Sequence, residues 1–207
     1  MDETSDQLPL IAIVDDNRDV RTTTGRGLAK MGYRCHPFAS GQDLLDALGY
    51  LKPDCILLDL RMPGINGLET LRAIPENKRY IPVIFFTSHG DIPTAIEAMK
   101  SGASDFIEKP GTFAQIAQKV ELAMENAKPQ RDEVSATNSA KDMVDLLTAR
   151  EKEVLRLACN GMKSKEIAEE LSLGPRTIDA HRYNAIQKLE VRTLPDIIHL
   201  FHQANAL

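Results

Sequence analysis

Apolar residues fall into two rhythms along the chain. From Leu10 to about Met124, short runs rich in β-branched residues alternate with amphipathic segments, the runs being Leu10 to Val14, Tyr33 to Phe38, Cys55 to Leu58, Val83 to Phe86 and Asp105 to Ile107. Strand-like runs separated by helical segments predict a parallel sheet with helices on both faces. CILL and VIFF are apolar throughout, as strands buried on both sides are, so these two should be central. From Leu146 onward the period is helical. Thr148 with Glu151 three residues later forms a capping box ahead of Val154, Leu155 and Leu157, and Gly161 stops that helix. Ser164 is the expected cap of a second helix carrying Ile167, Ala168 and Leu171. The turn from Ser172 to Gly174 then leads to Pro175 at the first position of a third, and a fourth runs from about Leu194 to Ala204. Between the two rhythms polar and charged residues dominate and Pro129 interrupts any continuing helix, which predicts a linker helical at most in its first turns. The implied division is an acidic tail at residues 1–9, an α/β domain at 10–125, a linker at 126–143 and an all-α four-helix domain at 144–207.

Composition narrows the function classes. The 207 residues hold 25 Lys plus Arg against 30 Asp plus Glu, a net charge of −5, which excludes a protein that binds nucleic acid by bulk charge. The excess of acids lies in the first 144 residues, and the remainder balances nine basic residues with nine acidic ones. A neutral helical domain needs two copies on adjacent half-sites to hold DNA well. No stretch approaches the ~18 uninterrupted apolar residues of a membrane span. Cys35, Cys55 and Cys159 lie far apart without a CxxC pair, and the N-terminus is acidic, so a soluble protein of the reducing cytoplasm is expected.

In a parallel α/β sheet, functional groups gather at the carboxyl ends of the strands. The first expected strand ends in Asp15 and Asp16, the third in Asp59, the fourth in Thr87 and the fifth in Lys109 followed by Pro110. A single Asp in such a place is ordinarily a helix cap. Three that converge demand a counter-charge, and an oxygen-only set without His or Cys suits Mg²⁺. A carboxylate held beside Mg²⁺ and Lys109 can attack phosphorus and become an aspartyl phosphate. A dinucleotide site is excluded, since VDDNRDV follows the first strand where GxGxxG would be needed.

IVDDNRDVR, ILLDLRMPGINGLE, FFTSHGD and DFIEKP resemble the receiver domain of two-component response regulators, most closely the NarL/FixJ subfamily. The resemblance covers Leu10 to about Met124. It implies a flavodoxin-like (βα)5 fold with sheet order 2-1-3-4-5, and phosphoryl transfer from a histidine kinase to Asp59. It implies direct Mg²⁺ ligation by Asp16, water-mediated ligation by Asp15, and a further ligand in the backbone carbonyl of Arg61. Thr87 and Lys109 would contact the phosphoryl oxygens, Phe106 would be an aromatic switch, and Lys109-Pro110 would be cis. His89 is a candidate for positioning water in dephosphorylation. Gly111 departs from relatives that carry Phe there, which leaves the packing at the start of the last receiver helix open.

In the helical domain, Ile178, Ala185 and Leu189 fall on one stripe of the third helix at 100° per residue, and Arg176, Ala180, Tyr183 and Gln187 lie opposite. Thr177, Asp179 and Asn184 flank that outer face. LTAREKEVLRLACNGMKSKEIAEELSLGPRTIDAHRYNAIQKLEVRTLPDIIHL resembles the LuxR-type DNA-binding domain over nearly all of Leu147 to Leu200. The family's base-reading positions correspond to Asp179, Ala180 and Tyr183. An acid can accept from cytosine N4 and a methyl can touch thymine. Lys165, Arg176, Thr177, Arg182 and Lys188 are the candidates for phosphate contacts, which set affinity and register. His181, at the edge of the apolar stripe, reads as a partly buried structural residue.

Together these features predict a phosphorylation-activated transcriptional regulator with Mg²⁺ as cofactor. Its expected partners are a sensor histidine kinase, double-stranded promoter DNA, a second copy of itself on phosphorylation and RNA polymerase. It is no enzyme beyond Mg²⁺-dependent self-phosphorylation and slow autodephosphorylation at Asp59. The resemblance places dimer contacts on the fourth-helix and fifth-strand face and near Ile197, Ile198 and Phe201. Two other classes remain: a Mg²⁺-dependent phosphotransferase or phosphatase, and a receiver-type interaction module without sequence-specific DNA binding.

Overall fold

The computed structural model describes residues 8–88, 92–191 and 193–206. The chain forms two compact units, residues 1–131 and 132–207. In the first, β1 (Leu10–Val14), β2 (Arg34–Phe38), β3 (Cys55–Leu58), β4 (Val83–Thr87) and β5 (Asp105–Glu108) pair in parallel in the order β2-β1-β3-β4-β5. Alternate residues of the inner strands feed two cores. Ala12, Val14, Ile56, Leu58, Val83 and Phe85 point to the face covered by α2 (Gly41–Ala47), α3 (Gly67–Ala73) and α4 (Ile92–Lys100). Ile11, Ile13, Cys55, Leu57, Ile84 and Phe86 pack on the opposite face with Leu28 of α1 (Arg18–Ala29) and with Ile116 and Val120 of α5 (Phe113–Asp145). This two-sided burial is why CILL and VIFF carry no polar alternation.

The stretch expected as a linker is helix. α5 continues through 126–143 with Pro129 inside it. A mid-helix proline costs about 3 kcal/mol through a lost backbone bond and a clash. Three features offset it: the surrounding Glu, Ala, Lys, Gln and Arg residues favour helix, Arg131 is ion-paired with Asp54, and Ala140 and Val144 are buried in the second unit's core. Periodicity missed the helix because its middle carries almost no apolar stripe.

The second unit adds α6 (Ala149–Cys159), α7 (Ser164–Glu170), α8 (Pro175–Leu189) and α9 (Leu194–Gln203). The Thr148 and Glu151 capping box forms as expected, and Gly161 turns the chain at φ 86°. The cap of α7 lies one residue earlier than expected. Glu166 accepts from the Lys163 N–H, and the Ser164 hydroxyl instead accepts from Arg182 Nη1 at 3.0 Å. Ile197 and Phe201, expected at a dimer surface, are interior. They are 3% and 0% exposed among Leu155, Ala185 and Leu189, because α9 must bury its apolar face to close so small a core. Ile198 alone of that trio is partly exposed. Among the described residues, no helix is long and apolar enough to cross a membrane.

Candidate functional site

Strand pairing builds the acidic site. Val14 and Leu58 are register partners at the ends of β1 and β3, and the Asp59 N–H donates to the Val14 carbonyl at 2.8 Å, so Asp15 and Asp59 leave the sheet side by side. One carboxylate oxygen from each of Asp15, Asp16 and Asp59 lies within 4.8 Å of the others. Asp15 and Asp59 are buried, and Asp16 is exposed. From the far side, Thr87 pairs with Glu108 and the Lys109 N–H donates to the Thr87 carbonyl at 2.9 Å, which delivers Lys109 to the same edge. Its Nζ donates to Asp15 Oδ2 and stands 3.4 Å from Asp59 Oδ2, over the Phe86 ring.

Backbone donors hold the carboxylates. Asp15 Oδ1 accepts from the Asn17 N–H at 2.9 Å, and Asp59 Oδ1 from the Leu60 N–H at 2.8 Å. Asn17 in turn caps α1, accepting from the N–H groups of Asp19 and Val20. Arg21 Nη1 donates to the carbonyls of Asp15 and Asp16, pinning the loop from beneath. Three carboxylates facing one lysine leave net negative charge, and the donors are all oxygen. That set fits a hard divalent cation such as Mg²⁺. Thr87 is fully buried. Phe106 is half-buried against the core, its ring 6.4 Å from that of Phe85. Arg61 follows Asp59 by two residues with its side chain exposed, Lys109-Pro110 is cis, and His89 lies outside the described residues. Near Gly111, Phe113 crosses α1 at Gly27: a Cβ there would come within 2.5 Å of its ring.

Two glycines and one arginine matter here that patterning did not single out. Gly67 lets α3 start against the Asp59 and Leu60 backbone, Gly41 makes room for Thr70, and Arg21 is a loop clamp. Their signal lies in close tertiary approach, which carries no local period.

The second candidate surface is the outer face of α8. Arg176, Thr177, Asp179, Ala180 and Tyr183 are exposed, Tyr183 at 65%, with Lys165 exposed on α7. Ile178, Ala185 and Leu189 are fully buried on the other face, as the wheel requires, and His181 is half-buried. Arg182 is half-buried against Ser164. Lys188, also expected at a phosphate, is exposed, and its Nζ lies 2.7 Å from Glu151 Oε2.

Burial pushes the Glu151 carboxyl up, but hydrogen bonds from Lys188 and Thr148 together with the Lys188 charge outweigh it and hold the group below its ordinary value. A carboxyl depressed by folding stabilises the fold above its unfolded value and loses that contribution as pH falls through the folded one. Acid unfolding followed by circular dichroism should therefore show the helical unit losing stability as pH drops below about 4.5, the ordinary value. Glu151→Gln should flatten that limb. An unchanged limb would show that the pair contributes nothing to it.

Residues 11–121 match the family model described as response regulator receiver domain, and residues 145–201 that described as bacterial regulatory proteins, luxR family. The transcriptional regulatory protein FixJ of Bradyrhizobium diazoefficiens is 33% identical over 95% of this chain and 96% of its own length. The response regulator protein TmoT of Ectopseudomonas mendocina is 33% identical over 94% of this chain and 88% of its own. Among solved structures, the response regulator StyR matches with TM-score 0.70 and 32% identity over 95% of this chain and 99% of that one. Full-length FixJ from B. japonicum matches with TM-score 0.56 and 33% identity over 96% and 98%.

Proposed function

The chain belongs to the two-component response regulators of the NarL/FixJ type, which join a receiver to a LuxR-type DNA-binding domain, and from that premise we propose how its residues divide the work of the switch. It is a phosphorylation-activated transcriptional regulator whose receiver takes its signal from a histidine kinase and whose helical domain binds DNA.

Asp59 is the phosphoryl acceptor. One of its carboxylate oxygens bonds to phosphorus as the P–N bond of a phosphohistidine breaks, and the imidazole keeps the electron pair and takes up a proton. Asp16, Asp59 and the Arg61 carbonyl would hold Mg²⁺, with Asp15 acting through water, and the ion would supply the positive charge that lets an anion approach three carboxylates. Lys109 and Thr87 then take the phosphoryl oxygens. Lys109 needs little movement, with Nζ already 3.4 Å from Asp59 Oδ2. As Thr87 is drawn in, Phe106 leaves its half-buried position and the face of α4 and β5 is repacked. That face presents Ile92, Ile96 and Met99 in the exposed state, and a second copy of the chain covers them on phosphorylation. The dimer places two α8 helices on adjacent half-sites, Asp179, Ala180 and Tyr183 against base edges and Lys165, Arg176, Thr177 and Arg182 along phosphates. RNA polymerase is the partner that reads the result. The three unpaired thiols fit a cytoplasmic location.

One observation carries the reading: Asp15, Asp16, Asp59 and Lys109 meet at the carboxyl end of the sheet in a chain that also presents the exposed outer face of α8. Selection from a random duplex pool, with and without a small phosphodonor and Mg²⁺, tests it. A two-half-site motif should be enriched, more strongly with phosphodonor. Failure to enrich any motif in either condition would sink the DNA-binding assignment.

A further inference from the structure

Lys188 sits on the helix that reads DNA, on the flank of the reading surface and with its side chain 38% exposed, yet its ammonium is paired with a carboxylate of another helix. At 100° per residue it lies about 180° around α8 from Asp179 and about 140° from Tyr183. Around the helix it lies between the exposed Thr177 and Asn184 on one side and the buried Ala185 on the other, with half-buried His181 two turns back. Its ammonium ends on Glu151 of α6, whose Oε2 also accepts from the Thr148 N–H at 2.8 Å. Glu151 is only 4% exposed, so the carboxylate that closes the cap of α6 is also the anchor of α8.

We infer that Glu151 is a positioning residue for DNA recognition: through Lys188 it fixes the rotation of α8, and Lys188 contacts no phosphate. The apolar stripe on α8 is three side chains wide along its length, Ile178, Ala185 and Leu189. Packing of that kind is non-directional and tolerates small rotations. An ion pair from a buried carboxylate does not, because its hydrogen bond weakens steeply with angle. A rotation of about 20° at a side-chain radius of roughly 6 Å moves a base-contacting group by about 2 Å, more than a base contact survives. At the middle of α8, Arg182 Nη1 donates to Ser164 Oγ and holds the helix to α7. One tether to each neighbouring helix leaves α8 a single orientation in which Asp179, Ala180 and Tyr183 face outward.

The inference rests on the DNA-binding reading, whose own failure shows separately as no motif enriched by the unaltered chain. The test uses the full-length protein, the duplex it enriches and a random-sequence duplex, with affinities measured over a range of salt. Each phosphate contact contributes about 0.9 to the slope of log K against log salt. Lys188→Met should lower affinity for the enriched duplex at least about tenfold, leave the slope unchanged and leave binding to the random duplex nearly intact. Lys165→Met should weaken both duplexes and reduce the slope. Lys188→Arg should restore most of the lost specific affinity. Glu151→Gln keeps an acceptor for the Thr148 N–H while removing the charge, so it should match Lys188→Met, with the double variant no weaker than the worse single one. Thermal unfolding confirms that each variant is folded at the assay temperature. A slope reduced by Lys188→Met as much as by Lys165→Met would overturn the inference, as would equal losses on both duplexes or unfolding of both Glu151→Gln and Lys188→Met.

Discussion

Phosphodonor and Mg²⁺ raise the DNA affinity of the native chain by a factor of about 5–150, the range of ordinary coupling energies between two sites, and leave Asp59→Asn unchanged. The argument begins with what Asn preserves. Its carbonyl oxygen can still accept the Leu60 N–H that Asp59 Oδ1 holds at 2.8 Å, and the Asp59 N–H to the Val14 carbonyl is backbone and untouched. The end of β3 therefore keeps its shape. What is lost is the anionic nucleophile. An amide does not form the acyl phosphate, so the added charge of about −1.5 to −2 never arrives beside Lys109 and Thr87. Lys109 keeps its pairing with Asp15, so the resting site retains a cation. Fluorescence anisotropy on the enriched duplex, with sedimentation to follow dimer formation, reads both responses. An Asp59→Asn chain that gains affinity with phosphodonor as the native one does would move the acceptor to another residue.

The receiver site was legible because its chemistry is tied to strand ends, and strand ends are the positions that patterning marks best. Asp15, Asp59, Thr87 and Lys109 each follow or close an apolar run, and parallel pairing makes neighbours of residues 45 and 94 apart in sequence, as the pairing of Asp59 N–H with Val14 and of Lys109 with Asp15 shows. The outer face of α8 was legible for the matching reason, since a wheel separates Ile178, Ala185 and Leu189 from everything exposed. Length and flexibility were not legible. Lys188 has a stem long enough to turn inward from a position the wheel leaves beside the stripe, and a charge on such a stem reads as solvated until its partner is seen. Glu151 was read only as a capping residue, because one carboxylate serving a cap and an ion pair leaves no mark beyond the capping motif. The helix across 126–143 was missed because its support comes from Arg131 with Asp54 and from Ala140 and Val144, long-range contacts in a stretch whose local composition looks like a linker.

Gly67→Ala should damage the receiver more than any other single methyl. Gly67 is the first residue of α3, after the Asn66 cap, and its N–H donates to the Leu60 carbonyl at 2.9 Å. A Cβ at this position would lie 2.9 Å from Leu60 Cα and 2.9 Å from Phe85 Cε1, and closer still to the Asp59 carbonyl oxygen. Two of those three neighbours are backbone and cannot rotate aside. The Asp59 backbone is itself pinned to Val14, and Phe85 is fully buried in the centre of the sheet. The helix must therefore retreat or the end of β3 must shift, and overpacking of this kind costs about 1–3 kcal/mol with the rigid neighbours here favouring the upper end. For a unit of this size that is a fall of about 10 °C in the first thermal transition. Gly49→Ala is the control, since its nearest neighbour, the Asp46 carbonyl, would be at an ordinary 3.8 Å. It should leave the transition where it was. The functional loss should exceed the loss of stability, because the atoms displaced belong to the phosphoryl acceptor, and a misplacement of about 1 Å can cost roughly 100-fold in rate. Phosphorylation measured well below the transition, where the variant is folded, separates the two effects. If Gly67→Ala is phosphorylated at the native rate there, α3 does not need to lie against the Asp59 backbone, and the tight approach is a matter of packing alone.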